Sequence, residues 1–337
     1  MKLIVNGRFL SQQPTGVQNY AKGIVKELLK SGNIEIVAPS GQLPQSCFPV
    51  KKIGFFSGFI WEQIFLPLYM LGKKDAVLLN LCNSAPLFIR NQVVTIHDLA
   101  FEEKQNWFSP LFQAWYRFMI PRICKRAKLI VTVSEFSKRK IVEKYGIKES
   151  KIIIAPPGIP EFKFSQNKQD IGDYVLLTGI ADPRKNAGFI IEYIDQLKQK
   201  GLKLVALGDD QGPFQSGSIQ QNESILYLKH VSFPEYCSLV KNAKVLIYPS
   251  YYEGFGIPIL ESLCMGTPVI ASDIEVFKEN FDNMPIYFNI GDINSYCKAI
   301  DSLAGKKISP GDIEFLKNKF NFNLSVSQIV QAISSTT

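Results

Sequence analysis

Residues 252–261 read Tyr-Glu-Gly-Phe-Gly-Ile-Pro-Ile-Leu-Glu, and no other stretch limits the fold of this chain so strongly. Just before it, Lys244-Val245-Leu246-Ile247-Tyr248-Pro249 is an apolar run of the kind that forms a parallel strand covered on both faces. Just after it, Ile259 to Met265 reads as a helix, with Pro258 at the first helical position, where its missing N–H costs nothing. Glu253 then sits in a strand-to-helix loop and Glu261 on the helix. Gly254 and Gly256 have no side chain to hold a ligand away from the backbone N–H groups. Those donors, around Phe255, Gly256 and Ile257, combine with the positive end of the helix to make an anion site. An anion held between two carboxylates implies a ligand with both phosphate and several hydroxyls, such as a nucleotide sugar. A lone G-x-G pair would be an ordinary turn; the flanking carboxylates make this one more than that.

Apolar strands and amphipathic helices alternate along the rest of the chain, which predicts parallel α/β units. At 337 residues, two domains are expected. Leu3–Val5 is a strand, 7–16 a polar loop, and Val17, Tyr20, Ala21, Ile24, Val25 and Leu28 mark one helical face. The N-terminus reads as that strand and not as a signal peptide. Val93–Ile96 and Leu129–Val133 are further strands. His97 follows the first of these, at the end where open α/β sheets bind ligands. Ser134 is placed to cap a helix over 135–145. The polar run 163–173 is the expected linker. In the second half, Asp182-Pro183-Arg184-Lys185-Asn186 leads into a helix from Ala187. An adjacent arginine fork and lysine point charge suit a diphosphate.

Charge and cysteine content narrow the partners. The net charge of +8 favours acidic ones. Six scattered cysteines without a C-x-x-C pair fit a reduced cytosolic protein, and two histidines, His97 and His230, offer no zinc cluster. Asp209-Asp210 read as loop acids, since the chain has no D-x-D. The apolar stretch 53–72 imitates a membrane span, but Glu62 and Gln63 sit at its centre and Pro67 interrupts it, so a buried or interfacial segment is expected. Between Trp107 and Lys128, aromatics alternate with Arg117, Arg122, Lys125 and Arg126. That mixture fits a core stripe with a solvated basic side, or a face lying on a membrane. No nucleic-acid module is recognisable.

Glu253 to Glu261, followed by Gly266-Thr267-Pro268-Val269-Ile270-Ala271-Ser272, resembles the E-x7-E signature of family 4 retaining glycosyltransferases of the GT-B fold. The resemblance extends over about nine-tenths of the chain. It takes in Thr15-Gly16-Val17-Gln18-Asn19-Tyr20, Trp61-Glu62-Gln63, Thr95-Ile96-His97-Asp98, Val133–Ser137 and Pro183-Arg184-Lys185-Asn186. Pro156-Pro157-Gly158 departs from the family's P-N-G turn, with Pro157 in place of asparagine.

The resemblance implies two Rossmann-like domains facing each other across a cleft. An acceptor domain would span 1–165 and a nucleotide-sugar domain 166–320, with a last helix over 321–337 returning to the first. It implies retaining, metal-independent hexosyl transfer, without a cofactor, in bacterial surface polysaccharide or O-antigen assembly. The donor would be GDP-mannose or another nucleotide sugar of mannose, rhamnose, fucose or glucose type. The acceptor would be a glycan or polyprenyl-diphosphate-linked oligosaccharide, met in the cytoplasm or at the anionic face of the inner membrane. Arg184, Lys185 and the amides near Phe255 and Gly256 would hold the diphosphate, Glu261 the ribose and Glu253 the sugar hydroxyls. His97 would sit beside the transferred sugar, Gly16 would face the diphosphate, and His230 and Val231 would lie near the base. A nucleotide-sugar epimerase or a non-catalytic binding module are the alternatives.

Overall fold

The computed structural model describes residues 2–32, 34–41, 48–105, 107–166, 171–208 and 224–336. Thirteen strands lie among them, in two sheets. The first sheet contains β1 (Lys2–Asn6), β2 (Ile34–Pro39), β3 (Val50–Ile53), β4 (Ala76–Asn80), β5 (Gln92–Thr95), β6 (Leu129–Thr132) and β7 (Ile152–Ile154). The second contains β8 (Tyr174–Thr178), β9 (Lys203–Leu207), β10 (Ile225–Leu228), β11 (Val245–Tyr248), β12 (Val269–Ser272) and β13 (Ile286–Phe288). Every pairing is parallel. This accounts for the unbroken apolar runs, because the central strands are buried along both faces.

Strand order is β3-β2-β1-β4-β5-β6-β7 in the first sheet and β10-β9-β8-β11-β12-β13 in the second. Each order reverses once, between β1 and β4 and between β8 and β11. Crevices at the carboxyl ends of such strands are where open α/β sheets take ligands.

The chain divides into two compact units. One comprises Met1–Glu102, Ala114–Gly158 and Phe320–Thr337; the other comprises Glu103–Gln113 and Ile159–Lys319. The helix Phe322–Ser335 thus belongs with the first sheet; the chain leaves that unit over Glu103–Gln113, returns, and leaves it again after Gly158, before the polar run beginning at 163. In the first unit, Ile4, Val37, Trp61, Leu66 and Leu78 pack together. In the second, Val175, Leu204, Val245 and Ile270 pack with Phe288 and Tyr296.

Several elements differ from expectation. The segment after β1 is no polar loop: Gly7–Ser11 forms a 3-10 turn that buries Arg8, Phe9 and Leu10. The helix of the central stretch runs Ile257–Cys264, so Pro258 stands one residue inside it and Gly256 is its cap. The strands β2, β3, β4, β10 and β13 were not expected from the sequence. Cys47 and the Asp209-Asp210 pair lie outside the described residues.

Residues 58–70 form a helix with a π-helical turn over Trp61–Phe65. That turn sends Trp61, Glu62 and Leu66 inward. The central carboxylate that spoils a membrane span is therefore a core group. Glu62 Oε1 lies 3.3 Å from Arg8 Nε and accepts hydrogen bonds from Asn6 Nδ2 at 2.8 Å and Ser84 Oγ at 3.0 Å. Among the described residues, no helix is long and apolar enough to cross a membrane.

Candidate functional site

The strand reversal of the second sheet brings two loops together. One follows β8 and carries Asp182 to Asn186; the other follows β11 and carries Tyr251 to Gly256. The Tyr251 N–H donates to the Arg184 carbonyl at 2.8 Å, which ties the loops directly. Asp182 caps a short 3-10 turn, Pro183–Lys185, by accepting from the Arg184 N–H at 3.0 Å. Its carboxylate also takes Arg184 Nη2 at 2.7 Å and Nε at 3.1 Å, a two-pronged grip that holds the guanidinium at the loop. The guanidinium lies 5.3 Å from the centre of the Phe108 ring.

Lys185 reaches back over Gly179. A Cβ there would come within 3.2 Å of the Lys185 stem, and Gly179 adopts φ +73°. Its ammonium pairs with Glu253 and donates to the Tyr248 hydroxyl, and it stands 4.4 Å from the Tyr248 ring centre. Tyr248 OH in turn donates to Glu253 Oε1 at 3.0 Å. Lysine, tyrosine and glutamate thus form one knot across the reversal. Thr178 Oγ1, Asn186 Nδ2 and Ser250 Oγ are also buried in these two loops or at the strand end, without a hydrogen-bond partner among the described residues. Unsatisfied buried polar atoms are rare in folded proteins.

Past the knot, Gly256 adopts φ +103° and opens the helix Ile257–Cys264. A Cβ at Gly256 would stand 2.9 Å from the Phe277 ring and 3.2 Å from the Phe281 ring, so glycine is required on both conformational and steric grounds. Asn280 Nδ2 donates to the Phe255 carbonyl at 3.0 Å and holds this bend. Gly254 and Phe255 are buried, and Ile257 is half-buried.

Glu261 lies one turn further along the helix. It is buried and accepts from Tyr236 OH at 2.7 Å through Oε2. Oε1 has no partner among the described residues. Burial pushes the carboxyl up to about 7, and the Tyr236 hydrogen bond opposes that rise. His230 is exposed in a left-handed conformation, φ +52°, and Val231 is half-buried; both precede the helix Phe233–Asn242, which carries Tyr236.

The remaining two expected residues are in the first unit. Gly16 is exposed at the start of the helix Gly16–Lys30. His97 is buried beyond β5. Its Nε2 lies 2.9 Å from the Leu81 carbonyl, so that nitrogen carries the proton and Nδ1 is the acceptor. Burial lowers its pKa, which keeps the ring neutral. Tyr20, one turn into the Gly16 helix, meets the His97 ring edge-on at 4.8 Å.

The structure therefore ties the loop of Arg184 and Lys185 to that of Glu253, and Glu261, on the next helix, meets Tyr236 from the helix Phe233–Asn242. Tyr248, Tyr236 and Asp182 were not singled out as site residues in the sequence. A strand tyrosine reads as core, and only the identity of its hydroxyl partner reveals otherwise. Among the described residues, no group of three or more His, Cys, Asp or Glu side chains is arranged to hold a metal.

Comparisons with known proteins bear on the family and the fold. Residues 158–308 match the family model of group 1 glycosyl transferases, and residues 74–161 match that of glycosyltransferase family 4. The chain is 31% identical over 224 residues to the O-antigen chain mannosyltransferase RfbU of Salmonella typhimurium, covering 64% of this chain and 61% of that one. It is 26% identical over 213 residues to the O-antigen chain mannosyltransferase B of Escherichia coli, covering 58% and 56%. The chain thus spans less than two thirds of the length of these curated relatives. The solved structure of Anabaena Alr3699/HepE, in complex with UDP and glucose, superposes with a TM-score of 0.74 at 16% identity, covering 99% of this chain and all of that one. With two parallel-sheet Rossmann-like units, the fold is GT-B.

Proposed function

We propose that the chain, which matches the models of group 1 glycosyl transferases and of glycosyltransferase family 4, moves a hexosyl group, of mannosyl type, from a nucleotide sugar to a growing surface glycan. GDP-mannose is the donor and a glycan or polyprenyl-diphosphate-linked oligosaccharide the acceptor, in O-antigen assembly. The mannosyl choice rests on the names of the relatives. The observation that carries the reading is the Lys185–Tyr248–Glu253 knot beside Arg184 at the β8/β11 reversal.

In the described state both cations are already paired with carboxylates. An arriving diphosphate exchanges places with them. Lys185 turns from Glu253 to phosphate, and Glu253 is released to accept hydroxyls of the sugar. Arg184 offers its fork to the same diphosphate, and the N–H groups near Phe255 and Gly256 meet it at the helix start. Glu261 Oε1 accepts from the ribose. His230 and Val231 border the base, and the neutral His97 offers Nδ1 to a sugar hydroxyl.

Transfer retains configuration and needs no metal. The bond from the sugar C1 to the phosphate oxygen breaks, and a bond from C1 to the acceptor oxygen forms on the same face. The acceptor proton goes to the departing phosphate oxygen, and the nucleoside diphosphate leaves. Positive charge preset around that oxygen is the main source of acceleration. The test is a transfer assay with GDP-mannose and lipid-linked acceptor, with the anomer read by NMR. An α-mannosyl product supports the reading; donor binding without transfer to any acceptor, or isomerisation of the free donor, refutes it.

We further propose that the first unit rests on an anionic membrane. Phe55, Leu71 and Phe88 are 89%, 72% and 73% exposed, and Ile60, Ile64 and Leu68 line the outer face of the helix over 58–70. Phe59 packs on Trp115, Trp115 on Phe118, and Arg122 covers Phe118. Arg126 approaches Phe88. Exposed aromatics ringed by arginines suit the interface of a bilayer. Co-sedimentation with phosphatidylglycerol vesicles, reduced by Ile64→Ser together with Leu68→Ser, is expected; equal binding to neutral vesicles contradicts the electrostatic part.

A further inference from the structure

We propose that Phe322, the first residue of the helix Phe322–Ser335, positions His97 by clamping Tyr20. The inference deepens the functional reading above, on which the importance of His97 rests. It rests on how closely this helix is seated in the first unit.

Two glycines leave room for Phe322 and nothing larger. A Cβ on Gly23 would stand 2.2 Å from Cζ of the Phe322 ring. A Cβ on Gly158 would stand 2.3 Å from the Phe322 nitrogen and 2.7 Å from the ring. Neither glycine has the positive φ that would explain it by backbone conformation. Their common feature is the aromatic residue they admit. Asn321 caps the helix by accepting from the Leu324 N–H at 2.8 Å, and Ser325 Oγ donates to the Pro156 carbonyl at 2.7 Å. The entry of the helix is thus held on both sides of Phe322.

From there the contact runs inward. The Phe322 ring lies 6.5 Å from that of Tyr20. Tyr20 is fully buried, its hydroxyl donates to the Ala155 carbonyl at 3.0 Å, and its ring abuts His97 at 4.8 Å and 88°. Tyr20 therefore cannot turn away from the histidine while Phe322 is in place. The histidine backbone is held separately: Asn83 Oδ1 accepts from its N–H at 2.7 Å, and Ser137 Oγ donates to its carbonyl at 2.9 Å. What Tyr20 adds is a dry wall against the ring. The other titratable groups nearby are Asp98, next in the chain, and Cys82, beside Tyr20. A helix contributed from the far end of the chain would then set the orientation and protonation of His97.

The chain holds only two histidines, and His230 is in the second unit, so ring NMR reports on His97 with an internal control. The probe is the pH titration and tautomer of both rings in the native chain, in Phe322→Leu and in Gly23→Ala. Leucine keeps the apolar bulk, and alanine suits a helix. The expected result is an upward shift of the His97 midpoint in both variants, toward the ordinary histidine value, with weaker preference for the Nε2–H form. His230 stays where it was. Turnover falls roughly tenfold while donor affinity is unchanged. An unmoved His97 in two folded variants overturns the proposal. Because the titration uses no substrate, absence of glycosyl transfer would refute the functional reading and leave this test standing.

Discussion

Arg184 and Lys185 are adjacent, and each is held by a different carboxylate. Arg184 pairs with Asp182, two residues away, which keeps its backbone cap when the guanidinium is gone. The pair is as buried as Lys185–Glu253, so Arg184→Ala is expected to cost about 3 kcal/mol of stability and to lower turnover by roughly a hundredfold. Lys185 pairs with Glu253 across the two loops, and both side chains are largely buried. Lys185→Met leaves the carboxylate with Tyr248 alone, and a loss of about 3 kcal/mol is expected from urea unfolding. Glu261 supplies the pH dependence. Its folded pKa is raised from 4.5 to about 7, so the neutral form fits the fold and the charged form opposes it. Its stabilisation is complete below pH 4.5 and is lost as pH rises to about 7, worth about 3 kcal/mol. Glu261→Gln should flatten that part of the stability profile. Ribose binding needs the charged acceptor, so donor affinity should tighten through pH 7 in the native chain and not in Glu261→Gln. At this scale the sequence revealed the charged residues, whose spacing around two glycines has few other uses. It did not reveal Tyr236 or Tyr248, because a tyrosine on an apolar face looks the same whether or not its hydroxyl holds a carboxylate.

At the scale of elements, the strand–loop–helix unit around Gly256 depends on a conformation that L side chains resist. Gly256→Ala meets both φ +103° and the Phe277 ring, and a loss of about 3 kcal/mol in thermal or urea unfolding is expected. The helix over 58–70 makes a different point. Its hydropathy resembles a membrane segment, but the π-turn buries Glu62 against Arg8. Glu62→Leu strands a buried guanidinium and should cost about 4 kcal/mol; adding Arg8→Met should recover much of it. Hydropathy alone could not distinguish this helix from a span, whereas the central carboxylate correctly argued against one. Its outer stripe of Ile60, Ile64 and Leu68 was equally visible, but which face lay outward depended on the π-turn. Gly7–Ser11 was misread as polar loop because a buried arginine is rare enough to be discounted.

For the molecule as a whole, the alternation of strands and helices announced parallel α/β architecture, since each central strand is apolar along its whole length. Strand order was not legible. The two reversals, β1/β4 and β8/β11, depend on pairings between segments far apart in sequence, and the second is what brings the Arg184 and Glu253 loops together. The seating of the helix Phe322–Ser335 in the first unit was expected from family resemblance, while the glycines that receive it, Gly23 and Gly158, drew no attention as residues of a socket. The account centres on the crevice at the β8/β11 reversal as the seat of a nucleotide-sugar donor. Calorimetric titration of GDP-mannose into the native chain and into Arg184→Ala tests this most directly. Saturable binding to the native chain, lost or severely weakened in a variant that is folded at the assay temperature and still unfolds cooperatively in urea, is the predicted result. Equal binding by both proteins, or no binding of any nucleoside diphosphate sugar by the folded native chain, would contradict it.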